Sequence, residues 1–184
     1  MNNTLLRKGP QSYKIVVVGD SFVGKTCLIE SYLTRQMPKH YEITVMERYF
    51  ENITVDGQDY HMTIWDTVSG ADYERLRSVL YDGADCIFIC YAVNRRESFT
   101  NAASYWFPEV RKSCPMVPVI FIATKIDLRD EDLKCVSYRE GKMLKKNLNA
   151  AKLVECSALW GIGLQKAFLK AIRTLPIQEK CKVS

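Results

Sequence analysis

The fold is decided by one stretch of the sequence, Ile15-Val16-Val17-Val18-Gly19-Asp20-Ser21-Phe22-Val23-Gly24-Lys25-Thr26. Its first four residues are β-branched, and such a short apolar run is typical of a strand buried on both faces. The next eight residues have the spacing GxxxxGK[ST], and a helical pattern follows from Gly24 to Leu33. Backbone N–H groups of such a loop, together with the helix N-terminus, bind anions. The stretch therefore predicts a phosphate-binding loop between a strand and a helix.

Each residue type at the end of this loop has a chemical role in binding a nucleotide. Gly24 lets the backbone approach a phosphate without a Cβ in the way. Lys25 is suited to placing its ammonium between the β- and γ-phosphates of a nucleotide, and the Thr26 hydroxyl to coordinating Mg²⁺. The alternative is a glycine turn that carries a lysine by chance. We predict nucleotide contacts from Gly19, Asp20, Ser21, Phe22, Val23, Gly24, Lys25, Thr26 and Cys27.

Strands and helices alternate along the rest of the chain. Asp56-Gly57 between two extended runs is the dipeptide of a type I′ hairpin turn, and Ser137 with Glu140 has the spacing of a capping box. The pattern predicts one α/β domain with a mostly parallel sheet, one antiparallel hairpin and helices on both faces. Further strands are predicted over 45–55, 58–65, 86–90, 117–123 and just before 156, and helices over 97–113, 137–147 and 164–175.

Composition fits a single globular domain of 184 residues. The formal net charge is +5, and we interpret the basic residues as spread along the chain, which gives no reason to predict nucleic-acid binding. The seven cysteines include no CxxC pair, which favours a reducing compartment such as the cytoplasm. Neither a signal peptide nor a membrane-spanning segment is predicted.

Two further motifs predict the nucleotide base and a second metal ligand. Thr124-Lys125-Ile126-Asp127 follows a buried strand, and its aspartate can accept two hydrogen bonds from guanine, whereas adenine lacks that donor pair. Glu155-Cys156-Ser157-Ala158-Leu159 ends another short strand, and its backbone amides are suited to contacting the guanine oxygen, with contacts predicted from Ser157, Ala158 and Leu159. Asp66, after the second hairpin strand, is predicted to hold Mg²⁺. The alternative for Asp66 is a solvated carboxylate.

These motifs, in this order, resemble those of the Rho family of small GTPases, over about residues 13 to 184. Residues 41–49 are similar to the Rho switch I segment, and residues 72–77 to the switch II helix. The resemblance implies a P-loop NTPase small G-domain with a six-stranded, mostly parallel sheet, binding GTP or GDP with Mg²⁺. It implies that Thr44 binds Mg²⁺ and the γ-phosphate, that Tyr41 flanks the nucleotide, and that effectors contact Tyr41, Val45, Met46, Glu47, Tyr49, Tyr73 and Leu76.

The chain departs from that family where GTP is hydrolysed. Gly70 occupies the position of the family's water-orienting glutamine, and Ser21 replaces a loop glycine where an arginine finger must fit. Ser69 replaces the glycine whose amide meets the γ-phosphate. Only Leu128 to Val136 separates Asp127 from the next helix, so the extra helix of typical Rho members is absent. The closest analogy is with atypical members such as the Rnd group, which stay loaded with GTP.

The two ends give a domain division: an extension over 1–12, a G domain over 13–176 and a tail over 177–184. Cys181-Lys182-Val183-Ser184 has a C-a-a-X pattern, which predicts prenylation of Cys181 and attachment to the cytoplasmic face of a membrane. A free cysteine is the alternative. Expected partners are effectors, exchange factors and a RhoGDI-like protein, with the chain itself a monomer.

Three functions are compatible with these observations. The first is a GTP-loaded signalling protein with impaired hydrolysis and no intact catalytic residue, possible actin regulation being an analogy with the family. The second is a cycling GTPase whose hydrolysis is rescued by a partner. The third, an interaction protein that has lost nucleotide binding, is disfavoured because Lys25, Thr26, Thr44, Asp66 and Asp127 are all present.

Overall fold

The computed structural model describes residues 9–39, 45–129 and 134–174. These residues form one six-stranded sheet in the order β2-β3-β1-β4-β5-β6, with only the β2–β3 pair antiparallel. The predicted sheet is therefore confirmed. Its strands are β1 (Gln11–Gly19), β2 (Met46–Val55), β3 (Gln58–Thr67), β4 (Cys86–Ala92), β5 (Val119–Thr124) and β6 (Lys152–Glu155).

Helices cover both faces of the sheet, as predicted. They are α1 (Lys25–Thr34), α2 (Glu74–Tyr81), α3 (Arg96–Asn101), α4 (Phe107–Ser113), α5 (Tyr138–Asn147) and α6 (Leu164–Ile172). α1 and α6 pack on one apolar cluster, and α2, α4 and α5 pack on the other. A π-helical segment, Ala102–Trp106, joins α3 to α4, and 3₁₀ turns cover Ala71–Tyr73 and Ile126–Leu128.

The local signals in the sequence form the expected structures. Asp56 and Gly57 both have positive φ, 51° and 82°, as a type I′ turn requires. At the start of α5 the Ser137 hydroxyl and the Glu140 carboxylate each accept from the other's backbone N–H, so the capping box is complete. These two features fix the hairpin register and the first turn of α5.

Some element bounds differ from the predicted ones for physical reasons. β1 begins at Gln11 rather than Ile15, because its polar start pairs in register with β3 from Tyr60 onward. β5 begins at Val119 rather than Val117, since Pro118 has no N–H to donate to a strand partner. Within the described ranges, no helix combines the length and apolar character needed to cross a bilayer.

Candidate nucleotide-binding site

The predicted site residues meet at one edge of the sheet. β1, β3 and β5 are parallel, so their carboxyl ends carry Gly19, Asp66 and Thr124 to the same side. Ligands of open α/β sheets bind at this edge. The sequence motifs are therefore brought together by the topology.

The phosphate loop begins with a glycine that the sheet itself requires. A Cβ on Gly19, whose φ is 143°, would lie 2.4 Å from the carbonyl oxygen of Cys90 on the neighbouring strand β4. Gly24 ends the loop with φ 96°, a conformation that other residues rarely adopt. Both glycines are thus needed for the backbone path, and Gly24 begins the helix that points at the phosphate site.

Side chains from three other segments hold the loop in shape. Thr124 Oγ1 donates to the Val23 carbonyl at 2.5 Å, and Lys125 Nζ donates to the Phe22 carbonyl at 2.7 Å. The Asp20 carboxylate accepts from Trp106 Nε1 at 2.7 Å and from Asn101 Nδ2 at 2.9 Å. Hydrogen bonds from the end of β5, from α3 and from the π-helical segment therefore hold the loop in place.

Lys25 is almost completely buried, with 8% of its surface exposed. Its ammonium donates to the carbonyls of Gly19 at 3.0 Å and Asp20 at 3.1 Å, and to Ser69 Oγ at 2.7 Å. Burial lowers the pKa of Lys25, and the nearby Asp66 carboxylate partly opposes that shift. An ammonium has three N–H donors, so protein oxygens occupy all of them in this state.

Two residues match a Mg²⁺ site. Thr26 Oγ1 donates to Asp66 Oδ2 at 2.5 Å, and Asp66 is fully buried. A hydroxyl and a carboxylate oxygen beside the phosphate loop are the hard ligands that Mg²⁺ takes when a nucleotide supplies the others. The residues present therefore fit the metal that the family resemblance implies. Thr44, the third predicted ligand, lies outside the described residues, as does Tyr41.

A cavity of about 240 Å³ lies beside the loop where guanine is expected. Asp127 Oδ1 accepts from the buried hydroxyl of Ser157 at 2.5 Å, which orients the carboxylate toward a base. Several predicted residues line the cavity, namely Gly24, Cys27, Thr124, Lys125, Asp127, Ala158 and Leu159. The predicted nucleotide contacts did not include four other lining residues, Leu28, Met37, Leu128 and Cys156, because their apolar side chains give no signal of nucleotide binding.

Arg77 holds the loop after β3 in place. The sequence analysis included this residue only as part of the segment that resembles the switch II helix. Arg77 of α2 is fully buried and donates to the carbonyls of Gly70 at 2.7 Å and Val68 at 3.2 Å. Its guanidinium also pairs with Glu109 of α4 at 2.6 Å. Burial lowers the pKa of Arg77, but the bond to Glu109 outweighs burial and the pKa lies above its usual value. Gly70 itself has φ 108°.

The remaining predicted residues have varied exposure. Ser21 is exposed, and its carbonyl accepts from Arg95 Nη1 at 2.7 Å. Tyr49 is half-buried and donates to Glu47 on the same strand. Apolar residues on or just before β2 and α2 are exposed, and Phe50 and Val79 extend the predicted set of Val45, Met46, Tyr73 and Leu76.

The sheet order, the braced phosphate loop and the aspartate beside the base cavity define a phosphate-loop nucleotide-binding protein. Comparison with known proteins narrows the class. A profile of the Ras family matches residues 14–177. The chain is 42% identical over 176 residues to the Ras-like GTP-binding protein RhoL of Drosophila melanogaster, covering 95% of this chain and 93% of the relative.

A second relative agrees with the first. The GTP-binding protein rho3 of Schizosaccharomyces pombe is 38% identical over 173 residues, covering 91% of this chain and 84% of the relative. The chain therefore belongs to the Rho group of the Ras family of small GTPases, and it is a Rho-like GTP-binding protein.

Proposed function

We propose that this protein is a signalling protein that stays loaded with GTP because its own hydrolysis is impaired. The observation that carries the proposal is the contrast between two parts of one site. The phosphate loop, the Thr26–Asp66 pair and the Asp127–Ser157 pair are complete. The position that orients the attacking water in relatives holds Gly70, which has no side chain.

The geometry around Gly70 supports this proposal. Its carbonyl is held by Arg77, and its φ of 108° suits glycine rather than glutamine. In Ras, stimulation by a partner accelerates hydrolysis about 10⁵-fold, which is about 7 kcal/mol of barrier. Loss of the glutamine and crowding of the arginine finger by exposed Ser21 would each remove much of this stabilisation.

Nucleotide recognition follows from the same residues. Lys25 and the loop N–H groups bind the phosphates, while Thr26, Asp66 and Thr44 hold Mg²⁺, whose charge screens the phosphate oxygens. Asp127, oriented by Ser157, selects guanine. Rho-like proteins bind effectors, exchange factors and dissociation inhibitors, and we assign effector binding to switch I and the exposed residues of β2 and α2.

We also propose that a prenyl group on Cys181 attaches the chain to the cytoplasmic face of a membrane. Cys181 lies outside the described residues, so this rests on the C-a-a-X pattern. The protein acts as a monomer on effectors that, by analogy with its family, regulate actin. A RhoGDI-like protein would bind the prenyl group.

Single-turnover hydrolysis of γ-labelled GTP tests the catalytic part of this proposal. We expect a rate below that of a glutamine-containing Rho protein measured alongside it, and less than about 10-fold stimulation by Rho GAP domains, against about 10⁵-fold in Ras. Stimulation above about 10³-fold by any GAP domain would instead support a cycling GTPase rescued by its partner. Lys25→Ala that leaves effector binding unchanged would support an interaction protein that does not use nucleotide.

A further inference from the structure

Positive charge is concentrated at one end of the sheet. Residues 134–174 hold nine lysines and arginines but only two carboxylates, whereas the rest of the chain holds 17 such cations and 19 carboxylates. This segment forms α5, β6 and α6, and β6 is the edge strand. Within the described part of the chain, this side therefore carries an excess of positive charge.

The two carboxylates of this segment do not neutralise that side. Glu140 pairs with Arg96 at 2.7 Å and Glu155 pairs with Arg129 at 2.6 Å, so arginines from elsewhere in the chain occupy both. Among the described residues, seven cations of the segment form no ion pair. We call them the basic face, and they are Arg139, Lys142, Lys145, Lys146, Lys152, Lys166 and Lys170.

The basic face spans the edge strand β6 and the helices α5 and α6 that contact it. Lys166 and Lys170 are four residues apart on α6 and so share one face of that helix. Burial, and then the charges of Lys166 and Lys152, lower the pKa of Lys170. On the other side, the Ala150 N–H donates to the Lys145 carbonyl at 3.0 Å and holds the end of α5 beside the start of β6. The nucleotide site lies at the carboxyl ends of the strands, whereas Lys152 begins β6. Much of the basic face therefore lies toward the amino ends of the strands, away from the nucleotide site.

Apolar side chains lie among these cations. Tyr138 and Met143 of α5 are 53% and 54% exposed, and the Lys142 ammonium lies 5.6 Å from the centre of the Tyr138 ring. A helix face that mixes lysines with exposed apolar residues is suited to the boundary between lipid headgroups and acyl chains.

We propose that the basic face binds the anionic headgroups of a membrane leaflet. Six of its seven cations are lysines, which act as point charges toward a diffuse anionic surface, whereas nucleic-acid phosphates favour the bidentate fork of arginine. Tyr138 is the one aromatic residue of α5, so the stacking platform of a nucleic-acid site is missing from that helix. Binding there leaves the nucleotide site and the exposed residues of β2 and α2 free.

Position along the chain supports the same occupant. Thr174 lies two residues after the end of α6, and Cys181 is only seven residues further on, a distance of at most about 25 Å when extended. A single prenyl chain anchors a protein only marginally, so stable attachment needs a second signal. The basic face supplies that signal, and its attraction to lipid does not depend on the modification of Cys181.

The test uses the full-length protein without lipid modification, sedimented with vesicles of phosphatidylcholine containing 30% phosphatidylserine. Each cation near such a surface contributes about fivefold in affinity. The triple variant Lys142→Gln, Lys146→Gln, Lys166→Gln is therefore expected to bind about 100-fold more weakly. A matched control replaces three exposed cations elsewhere, Lys39→Gln, Arg75→Gln and Lys112→Gln, and is expected to bind like the unmodified sequence.

Each outcome decides the proposal. The proposal is supported if binding is lost in the triple variant, if it is lost in 0.5 M salt, and if pure phosphatidylcholine vesicles are not bound. Salt should abolish binding because it screens charge attraction. The proposal would be overturned by equal binding to neutral vesicles or by equal losses in the two triple variants. It would also be overturned if the Lys142, Lys146, Lys166 variant lost affinity only for a single-stranded RNA probe. Guanine nucleotide binding by both variants verifies their folding, and the result is independent of GTP hydrolysis.

Discussion

The ammonium of Lys25 donates a 2.7 Å hydrogen bond to the hydroxyl of Ser69, which in turn donates to the Gly19 carbonyl at 2.7 Å. This chain of bonds joins the loop after β3 to both ends of the phosphate-loop turn. Glycine, the residue that the family resemblance implies for position 69, has no hydroxyl to make it. Ser69 therefore competes with a nucleotide phosphate for one of the three N–H donors of Lys25.

Removing this hydroxyl is expected to strengthen nucleotide binding. Ser69→Ala frees one N–H of Lys25, and a net hydrogen bond of about 1 kcal/mol corresponds to about a fivefold lower Kd for GTP. Fluorescent-nucleotide titration measures the change. Ser78→Ala, whose hydroxyl only contacts the Arg75 carbonyl on the exposed side of α2, serves as the control. A higher Kd for GTP in Ser69→Ala would contradict this prediction and mean that the hydroxyl itself binds the nucleotide.

The base site gives a second prediction. Ser157→Ala removes the hydrogen bond that orients Asp127, so the affinity for GDP is expected to fall about fivefold to tenfold. Asp127→Ala should lower the affinity for GDP further, because it removes both carboxylate oxygens that accept hydrogen bonds from guanine. Isothermal titration with GDP and ADP compares the two variants. Unchanged GDP affinity in both variants would contradict the assignment of this cavity to guanine.

The buried ion pair between Arg77 and Glu109 gives a third prediction. Arg77→Leu leaves a carboxylate buried without its partner, so the free energy of unfolding in urea is expected to fall by about 3–5 kcal/mol. The control is the exposed pair Arg96–Glu140, where Arg96→Gln is expected to cost less than about 1 kcal/mol. Equal losses in the two variants would contradict a structural role for the buried pair.

The same pair predicts a dependence of stability on pH. Burial raises the pKa of Glu109, but the hydrogen bonds from Arg77 and Tyr81 outweigh it, and the pKa lies below its usual value. The folded-state pKa is thus lower than the unfolded one, about 4.3. The stabilisation that ionised Glu109 contributes is complete when the pH is above the unfolded-state pKa, and it is lost as the pH falls through the folded-state pKa.

Urea unfolding between pH 7 and pH 3 measures this effect. Glu109→Gln should be less stable at pH 7 and lose less stability on acidification than the unmodified chain does, because glutamine has no proton to gain. Parallel pH curves for the two proteins would show that Glu109 does not contribute.

Restoring glutamine at position 70 gives a further prediction. Gly70→Gln alone forces a side chain into a backbone with φ 108°, at a cost of about 1–3 kcal/mol in unfolding free energy. The triple variant Ser21→Gly, Ser69→Gly, Gly70→Gln returns the flexible glycine to position 69 and clears the loop. Its GAP-stimulated hydrolysis is expected to exceed that of the unmodified chain by at least about 10²-fold. No gain in a folded triple variant would contradict the assignment of the defect to these positions.

Sequence predicted which motifs meet at one edge of the sheet wherever a motif coincided with a strand end. The phosphate loop and Asp127 each follow a buried apolar run, Asp66 lies near the end of β3, and parallel strands necessarily bring such ends together. Apolar lining residues such as Met37 carry no such signal. Arg77 was not predicted to be buried, because a lone arginine in an amphipathic helix is normally exposed and its partner Glu109 lies 32 residues away.

The sequence analysis did not predict the basic face. It considered only how the basic residues are spread along the chain, whereas the face arises because the segment 134–174 holds only two carboxylates. Pairing of Glu140 and Glu155 with distant arginines then removes even these from the basic face, and no local pattern indicates such contacts. The Ser69–Lys25 bond was equally invisible, since it joins residues 44 positions apart.

The nucleotide carried by the freshly purified protein tests the central proposal most directly. Rapid purification in Mg²⁺, followed by acid extraction and ion-exchange chromatography, gives the ratio of GTP to GDP. We expect mostly GTP, because the site binds it through Lys25, Thr26 and Asp66 while Gly70 leaves the attacking water unoriented. A protein that carries mostly GDP would contradict the account.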